Sequence, residues 1–169
     1  MKAILSVFNK DRIVEFAKAL NELGIELIAT KGTAAEISMH GLEVTRVSEF
    51  TGFHEMLDGR IKTLHPRIHA GITTGEIGIV AVNLIPFDTS REDPLASMDL
   101  GGVAMLRSAI RNFELVAVIV NPLRYNAILK ELVKAGALSH STKLVLAREA
   151  SEYIVAYDSK IDIVLKRMK

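Results

Sequence analysis

Residues 78–84 read Gly-Ile-Val-Ala-Val-Asn-Leu, an apolar run that Pro86 brings to a stop. A strand with one face in water alternates apolar and polar side chains; this one does not, so both of its faces must be covered. Strands of that kind belong to parallel sheets flanked by helices. Residues 115–120 (LVAVIV) repeat the pattern before Asn121-Pro122, and shorter apolar runs stand at 3–7 (AILSV), 26–29 (ELIA) and 44–47 (VTRV). Between the strands the period changes to that of a helix. Ile13, Phe16, Ala17, Leu20 and Leu23 follow a cap expected at Asn9 or Asp11, and Gly24 is placed for a left-handed end. Further helices are expected from the Thr30–Thr33 turn to about His40, from about Val103 to Asn112, from Leu123 to Lys134, and from a Ser141 cap to about Arg167. Residues 90–100 read as irregular or as a short helix. Alternating strands and helices predict a doubly wound α/β domain with right-handed crossovers and helices on both faces. It is read as one domain over 1–169, with 141–169 its C-terminal helix.

Composition narrows the function classes. The chain is 49% hydrophobic, yet no apolar run approaches the roughly 18 residues that span a bilayer. The start, MKAILSVFNKDR, is too short in apolar residues for a secretory signal, so a cytoplasmic location is expected. Without cysteine there are no disulfides, thiolate metal ligands or cysteine nucleophile. A net charge of +1 gives no global field toward nucleic acid. The absence of Cys and Gln beside many Ile, Lys, Arg and Glu hints at a thermophilic source.

Residues 51–71 (TGFHEMLDGRIKTLHPRIHAG) concentrate charge. Arg60, Lys62, His65, Arg67 and His69 stand against Asp58 within 58–69. Such a stretch either faces water or meets an anion, and its interleaved Gly, Thr, His and Pro suit a loop that holds a small anionic ligand. In a doubly wound sheet, loops after parallel strands converge on one edge. Ser6 to Lys10, Thr30 to Thr33 and Asn83 to Pro86 should therefore meet beside it. Thr30-Lys31-Gly32-Thr33 offers helix N-terminal amides, two hydroxyls and an ammonium to a phosphate, although it reads equally as a plain turn with a Thr cap. Lys10 offers a second phosphate contact or is merely solvated. Asn83 is a satisfied turn residue or a ligand contact. Asp99 reads first as an N-cap, before a Gly101-Gly102 pair that permits close backbone approach. His65 and His69 have metal-ligand spacing, but Pro66 lies between them and no third ligand is evident, so no metal is expected. Tyr153, Tyr157 and Ile161 read as a packing stripe on the last helix. Neither the P-loop nor the dinucleotide fingerprint is present, and no cofactor is expected.

The segments SVFNKDRIVEFAKAL, ATKGTA, VSEFTGFHEMLDGRIKTLHPRIHAGI, VNLIPF, DLGGVAMLRSAIRN and LAREASEYIVAYD, in this order, resemble the inosine monophosphate cyclohydrolase domain. That domain is the amino-terminal half of a bifunctional purine enzyme whose other half is a formyltransferase. The resemblance covers essentially the whole chain. It implies a methylglyoxal-synthase-like, three-layer α/β/α sandwich around a mostly parallel five-stranded sheet. It also implies a purine ribonucleotide as substrate and product, a homodimer, and no formyltransferase domain after Lys169, so that a separate formyltransferase protein would supply the substrate.

Carried onto this sequence, the resemblance places the nucleotide against Ser6, Phe8, Asn9, Lys10, Thr30, Lys31, Gly32, Thr33, Arg60, Ile61, Thr63, Leu84, Leu100 and Gly101. It makes Lys62, Asn83, Asp99 and Arg111 the catalytic set. Lys62 and Asn83 would donate to the formyl oxygen, and Asp99 would take or orient the amide proton. Arg111 stands where the family has a Lys assigned to proton transfer; arginine does not give up its proton, so here it would be a fixed cation. Other departures are Phe8 for a small polar residue, Lys31 for a Gly, Ile85 for a Tyr, and a shorter segment between Gly71 and Gly78. The implied reaction is the dehydrative closure of 5-formamidoimidazole-4-carboxamide ribonucleotide to inosine monophosphate. The alternative is a non-catalytic purine-nucleotide-binding regulatory module of the same fold. Methylglyoxal synthase itself is disfavoured, since its acidic catalytic motif is not found.

Overall fold

The computed structural model describes residues 1–53, 61 and 63–168, so Arg60 and Lys62 lie outside the described residues. Five strands form one sheet: β1 (Lys2–Val7), β2 (Glu26–Ala29), β3 (Thr45–Arg46), β4 (Ile77–Asn83) and β5 (Ala117–Ile119). Their order is β3-β2-β1-β4-β5, and every pairing is parallel. The helices are α1 (Ile13–Glu22), α2 (Lys31–Met39), α3 (Val47–Thr51), α4 (Pro66–Thr74), α5 (Leu100–Arg111), α6 (Tyr125–Ala135) and α7 (His140–Arg167).

The period of two in the strands sorts the core into two layers. Ile4, Val80, Val82 and Val118 pack with α3, α4, α5 and α7. Ala3, Leu5, Val7, Ile79, Ala81, Ala117 and Ile119 pack with α1, α2 and α6. This is the expected three-layer sandwich, with a fully rather than mostly parallel sheet. Ile77 and Ile79 fall in opposite layers because β4 carries a register shift against β1 between the Lys2–Ile77 and Ala3–Ile79 pairs. The extra residue is Gly78, where a Cβ would lie 2.5 Å from the Met1 sulfur. The run 78–84 thus marks the central strand, though the strand itself begins at Ile77.

Several boundaries differ from the sequence reading. Pro66 opens α4 with His65 as its cap, so no helix interior runs through that point; at the first helical position the missing N–H and fixed φ of proline cost nothing. Neither Asn9 nor Asp11 caps α1. The Asn9 side chain accepts the Asp11 N–H, and Arg12 enters the helix in the left-handed conformation at φ 56. Helix α5 begins at Leu100, earlier than Val103, with Asp99 as its cap. Helix α7 is capped by Ser139, whose hydroxyl accepts the Thr142 N–H, and not by Ser141.

With β1 feeding β2 and β3 on one side and β4 and β5 on the other, the winding reverses between β1 and β4. Ligands of such sheets sit outside the strand ends at that reversal.

Candidate functional site

The C-terminal ends of β1 and β4 open into a cleft of about 770 Å³. It is lined by Ser6, Phe8, Lys10, Thr30, Gly32, Thr33, Thr63, Asn83, Asp99, Leu100 and Gly101, all expected from the sequence. The segment from Ile85 to Thr89, Arg91, residues 96–98, Val7 and Gly102 also line it. Three loops from different strands meet there because the parallel sheet delivers them to one edge.

The reversal point is closed by a side chain. The Asn83 carboxamide accepts the Asn9 N–H at 2.8 Å and donates to the Asn9 carbonyl at 3.0 Å, while Phe8 N–H donates to the Asn83 carbonyl at 3.3 Å. Asn83 therefore continues the β1–β4 ladder after its last register pair, Val7–Asn83. That is the satisfied-turn alternative, and one Nδ2 hydrogen is still available to a ligand. The Lys10 ammonium folds back onto the Val7 and Phe8 carbonyls.

At the start of α2 the two threonines have separate tasks. Thr33 is 1% exposed; its hydroxyl accepts the Val7 N–H at 3.2 Å and donates to the Val7 carbonyl at 3.3 Å. Thr30 donates toward Ser6 at 3.3 Å and toward Thr33 at 3.4 Å. Thr33 thus pins α2 to β1, its one hydroxyl hydrogen directed to the Val7 carbonyl. Gly32, with open space where a Cβ would stand, lines the cleft in the first turn of α2, whose leading amides have no partner within the helix.

Across the cleft Asp99 caps α5. One carboxylate oxygen accepts the Gly102 N–H at 2.7 Å and the other accepts the Ile85 N–H at 3.1 Å. The carboxylate lies so close over Gly102 that a Cβ there would be 2.7 Å from it and 2.6 Å from Leu84. Each oxygen has acceptor capacity beyond its one backbone bond. Exposed Phe8, Ile85 and Leu100 form an apolar rim above this polar floor.

Some sequence-assigned residues are not in the cleft. Leu84 is buried in the core, 3% exposed. Arg111 is exposed at the far end of α5, roughly 16 Å along the helix from Leu100 at about 1.5 Å per residue. It cannot contact Asp99 within one chain. Asn9, Lys31 and Ile61 do not line the cleft. Of the basic stretch, Arg67 stacks over the Phe50 ring at 4.6 Å, and His69 bonds the Ser108 hydroxyl at 2.7 Å. Among the described residues no cluster of metal-ligating side chains occurs.

The sequence reading missed the backing of the site. Tyr157 and Ile161 are indeed buried in the core, as a packing stripe requires. Yet the Tyr153 hydroxyl also accepts the Leu84 N–H at 3.0 Å, and the Tyr157 hydroxyl accepts the Asp99 N–H at 2.8 Å. Burial raises both phenols above their ordinary range, with Asp99 adding to the rise, so both remain neutral. Only their i, i+4 spacing on the last helix signalled a shared task.

Comparison with known proteins follows the same lines. The model of the MGS-like domain matches residues 12–110, and that of the AICARFT/IMPCHase bienzyme matches residues 109–169. The bifunctional purine biosynthesis protein PurH of Caldicellulosiruptor saccharolyticus is 42% identical over 183 aligned positions that take in 95% of this chain. The chain spans about a third, 36%, of that protein's length. The crystal structure of ForH superposes with a TM-score of 0.85 at 32% identity, covering 96% of this chain and 97% of ForH. The chain belongs to the family of MGS-like domains and is related, along nearly its whole length, to the corresponding part of PurH.

Proposed function

We propose that the chain closes the purine ring of 5-formamidoimidazole-4-carboxamide ribonucleotide, giving inosine monophosphate and water. The carboxamide nitrogen attacks the formyl carbon and passes a proton away. The resulting carbinolamine then loses its hydroxyl, with the hydrogen of the former formamide nitrogen, as water. Both reacting groups belong to one molecule, so the protein must hold them face to face and stabilise charge at the formyl oxygen.

The observation that carries this reading is the pairing of Asn83 and Asp99 in one cleft, at the sheet's reversal point, in a chain 42% identical to PurH. Backbone bonds fix both side chains before any ligand arrives, and such preorganisation is what electrostatic catalysis requires. The α2 amides would receive the phosphate, the Phe8, Ile85 and Leu100 rim the flat base, and Asp99 the amide proton. Asn83 would donate its remaining Nδ2 hydrogen to the formyl oxygen, together with Lys62 from the basic stretch.

Mixing purified protein with the formamido ribonucleotide and following purine absorbance tests the reading. Catalysed ring closure is expected. Nucleotide binding without turnover would assign the cleft to a regulatory module.

A further inference from the structure

Among the described residues, two backbone donors at the cleft pair with side chains and not with backbone. β5 stops at Ile119, opposite Ala81, so no strand extends beside the N–H of Leu84. Asp99 is the residue before α5, and its N–H lies outside that helix's own bonding. Unpaired, each would carry the desolvation cost of a buried polar group. Both are taken up by α7, through Tyr153 at 3.0 Å and Tyr157 at 2.8 Å.

The two phenols are one helical turn apart on the same face, so a single rigid element reaches both walls of the cleft. The walls are also joined to each other, because the Ile85 N–H donates to the Asp99 carboxylate. Tyr157 further meets Phe87 of the cleft lining edge-on, with ring centroids 6.2 Å apart. Tyr157 as a whole is 7% exposed, so the hydroxyl is aimed by a packed side chain. A packing stripe alone would be served by phenylalanine at both positions.

We infer that Tyr153 and Tyr157 are positioning residues: α7 clasps the β4 exit and the Asp99 cap from behind, fixing the carboxylate relative to the Asn83 carboxamide. Neither hydroxyl touches substrate. Each acts through a backbone amide, and the effect falls on the reacting geometry and not on nucleotide affinity. The kinetic part of this inference rests on the cyclohydrolase reading; the structural part does not.

Tyr153→Phe and Tyr157→Phe keep the rings and remove only the hydroxyls. Amide hydrogen exchange, read residue by residue by NMR, should speed up at Leu84 in the first variant and at Asp99 in the second. About tenfold is expected in each case, with the other amide changing less. Steady-state kinetics on the formamido ribonucleotide should show kcat lowered about tenfold with KM changed less than about threefold. Unchanged exchange at both amides would overturn the clasp, and faster exchange with wild-type kcat would overturn the positioning role. A wild-type protein without turnover would instead refute the cyclohydrolase reading, and exchange alone would then decide whether α7 holds the two segments. The two variants are independent, so one that does not fold leaves the other to decide.

Discussion

Thr33→Val separates a structural hydroxyl from a ligand-binding one. The replacement is nearly isosteric, and Thr33 is 1% exposed, so packing changes little. What is lost is the acceptor for the Val7 N–H at 3.2 Å and the donor to the Val7 carbonyl at 3.3 Å. The carbonyl keeps the Lys10 ammonium, so one buried donor, the N–H, is left unpaired. That costs about 1–3 kcal/mol. At about 2–4 °C per kcal/mol for a chain of this size, a 2 kcal/mol loss lowers Tm by about 4–8 °C. Urea denaturation should show the lower midpoint with an unchanged slope. Thr33→Ser, which keeps the hydroxyl, should recover most of the difference. Calorimetric titration with inosine monophosphate and with inosine gives the opposing test. A variant of wild-type stability that loses affinity for the phosphorylated ligand alone would refute this account and return the hydroxyl to the phosphate.

Asp99→Asn keeps an N-cap for Gly102 but sets an amide against the Ile85 N–H and removes a proton acceptor. The absorbance assay should show kcat reduced about a hundredfold, and an unchanged kcat would leave Asp99 a cap and nothing more. Arg12→Gly relieves the one non-glycine residue at positive φ among the described residues. It should raise stability by about 0.5 kcal/mol in urea titrations, the left-handed penalty less the chain entropy of glycine; a fall would mean that the Arg12 side chain contributes more than its backbone costs. Glu131 accepts the Ser139 N–H and the Thr142 hydroxyl, each at 2.7 Å, and these bonds hold its carboxyl below the ordinary value of 4.5. Its unfolded form binds the proton more readily, so its stabilisation is full above about pH 4.5 and fades as pH falls through the lower folded value. The gap in urea midpoint between wild type and Glu131→Gln should therefore narrow toward acid, and a gap constant with pH would count against the linkage.

The apolar runs disclosed the parallel sheet because strands buried on both faces have no other composition open to them. The strand-end rule then brought Ser6, Thr30, Asn83 and their neighbours to one edge without knowledge of any ligand. Division of labour within the cleft was not legible. Nothing in TKGT tells that the Thr33 hydroxyl bonds Val7, since a hydroxyl turned to a ligand would use the same residue at the same spacing. Pro66 barred a helix through the basic stretch, but that it opens one of its own was not legible, since a proline at the first helical position and one in a loop look alike until the following turn is seen. Asp99 was read correctly as a cap, but its second bond, to Ile85, depends on a loop whose path no local pattern records. Arg111 was misplaced by carrying a role over with its position. Helix length puts it far from Asp99 in this chain.

The sheet order has a consequence for how the molecule is assembled. Lys2 pairs with Glu26 on one side and with Ile77 on the other. β1 and β2 can join as soon as α1 has been made, whereas β4 has to close a much longer loop to reach the same strand. The cleft lies across that later seam: Ser6 and Thr30 come from the early half, Asn83 and Asp99 from the late half, and the two tyrosines from α7, which is made after both. A partly made chain therefore holds fragments of a binding site but no site. Any ligand of the cleft would then report completion of the fold, stabilising finished molecules while offering nothing to unfinished ones.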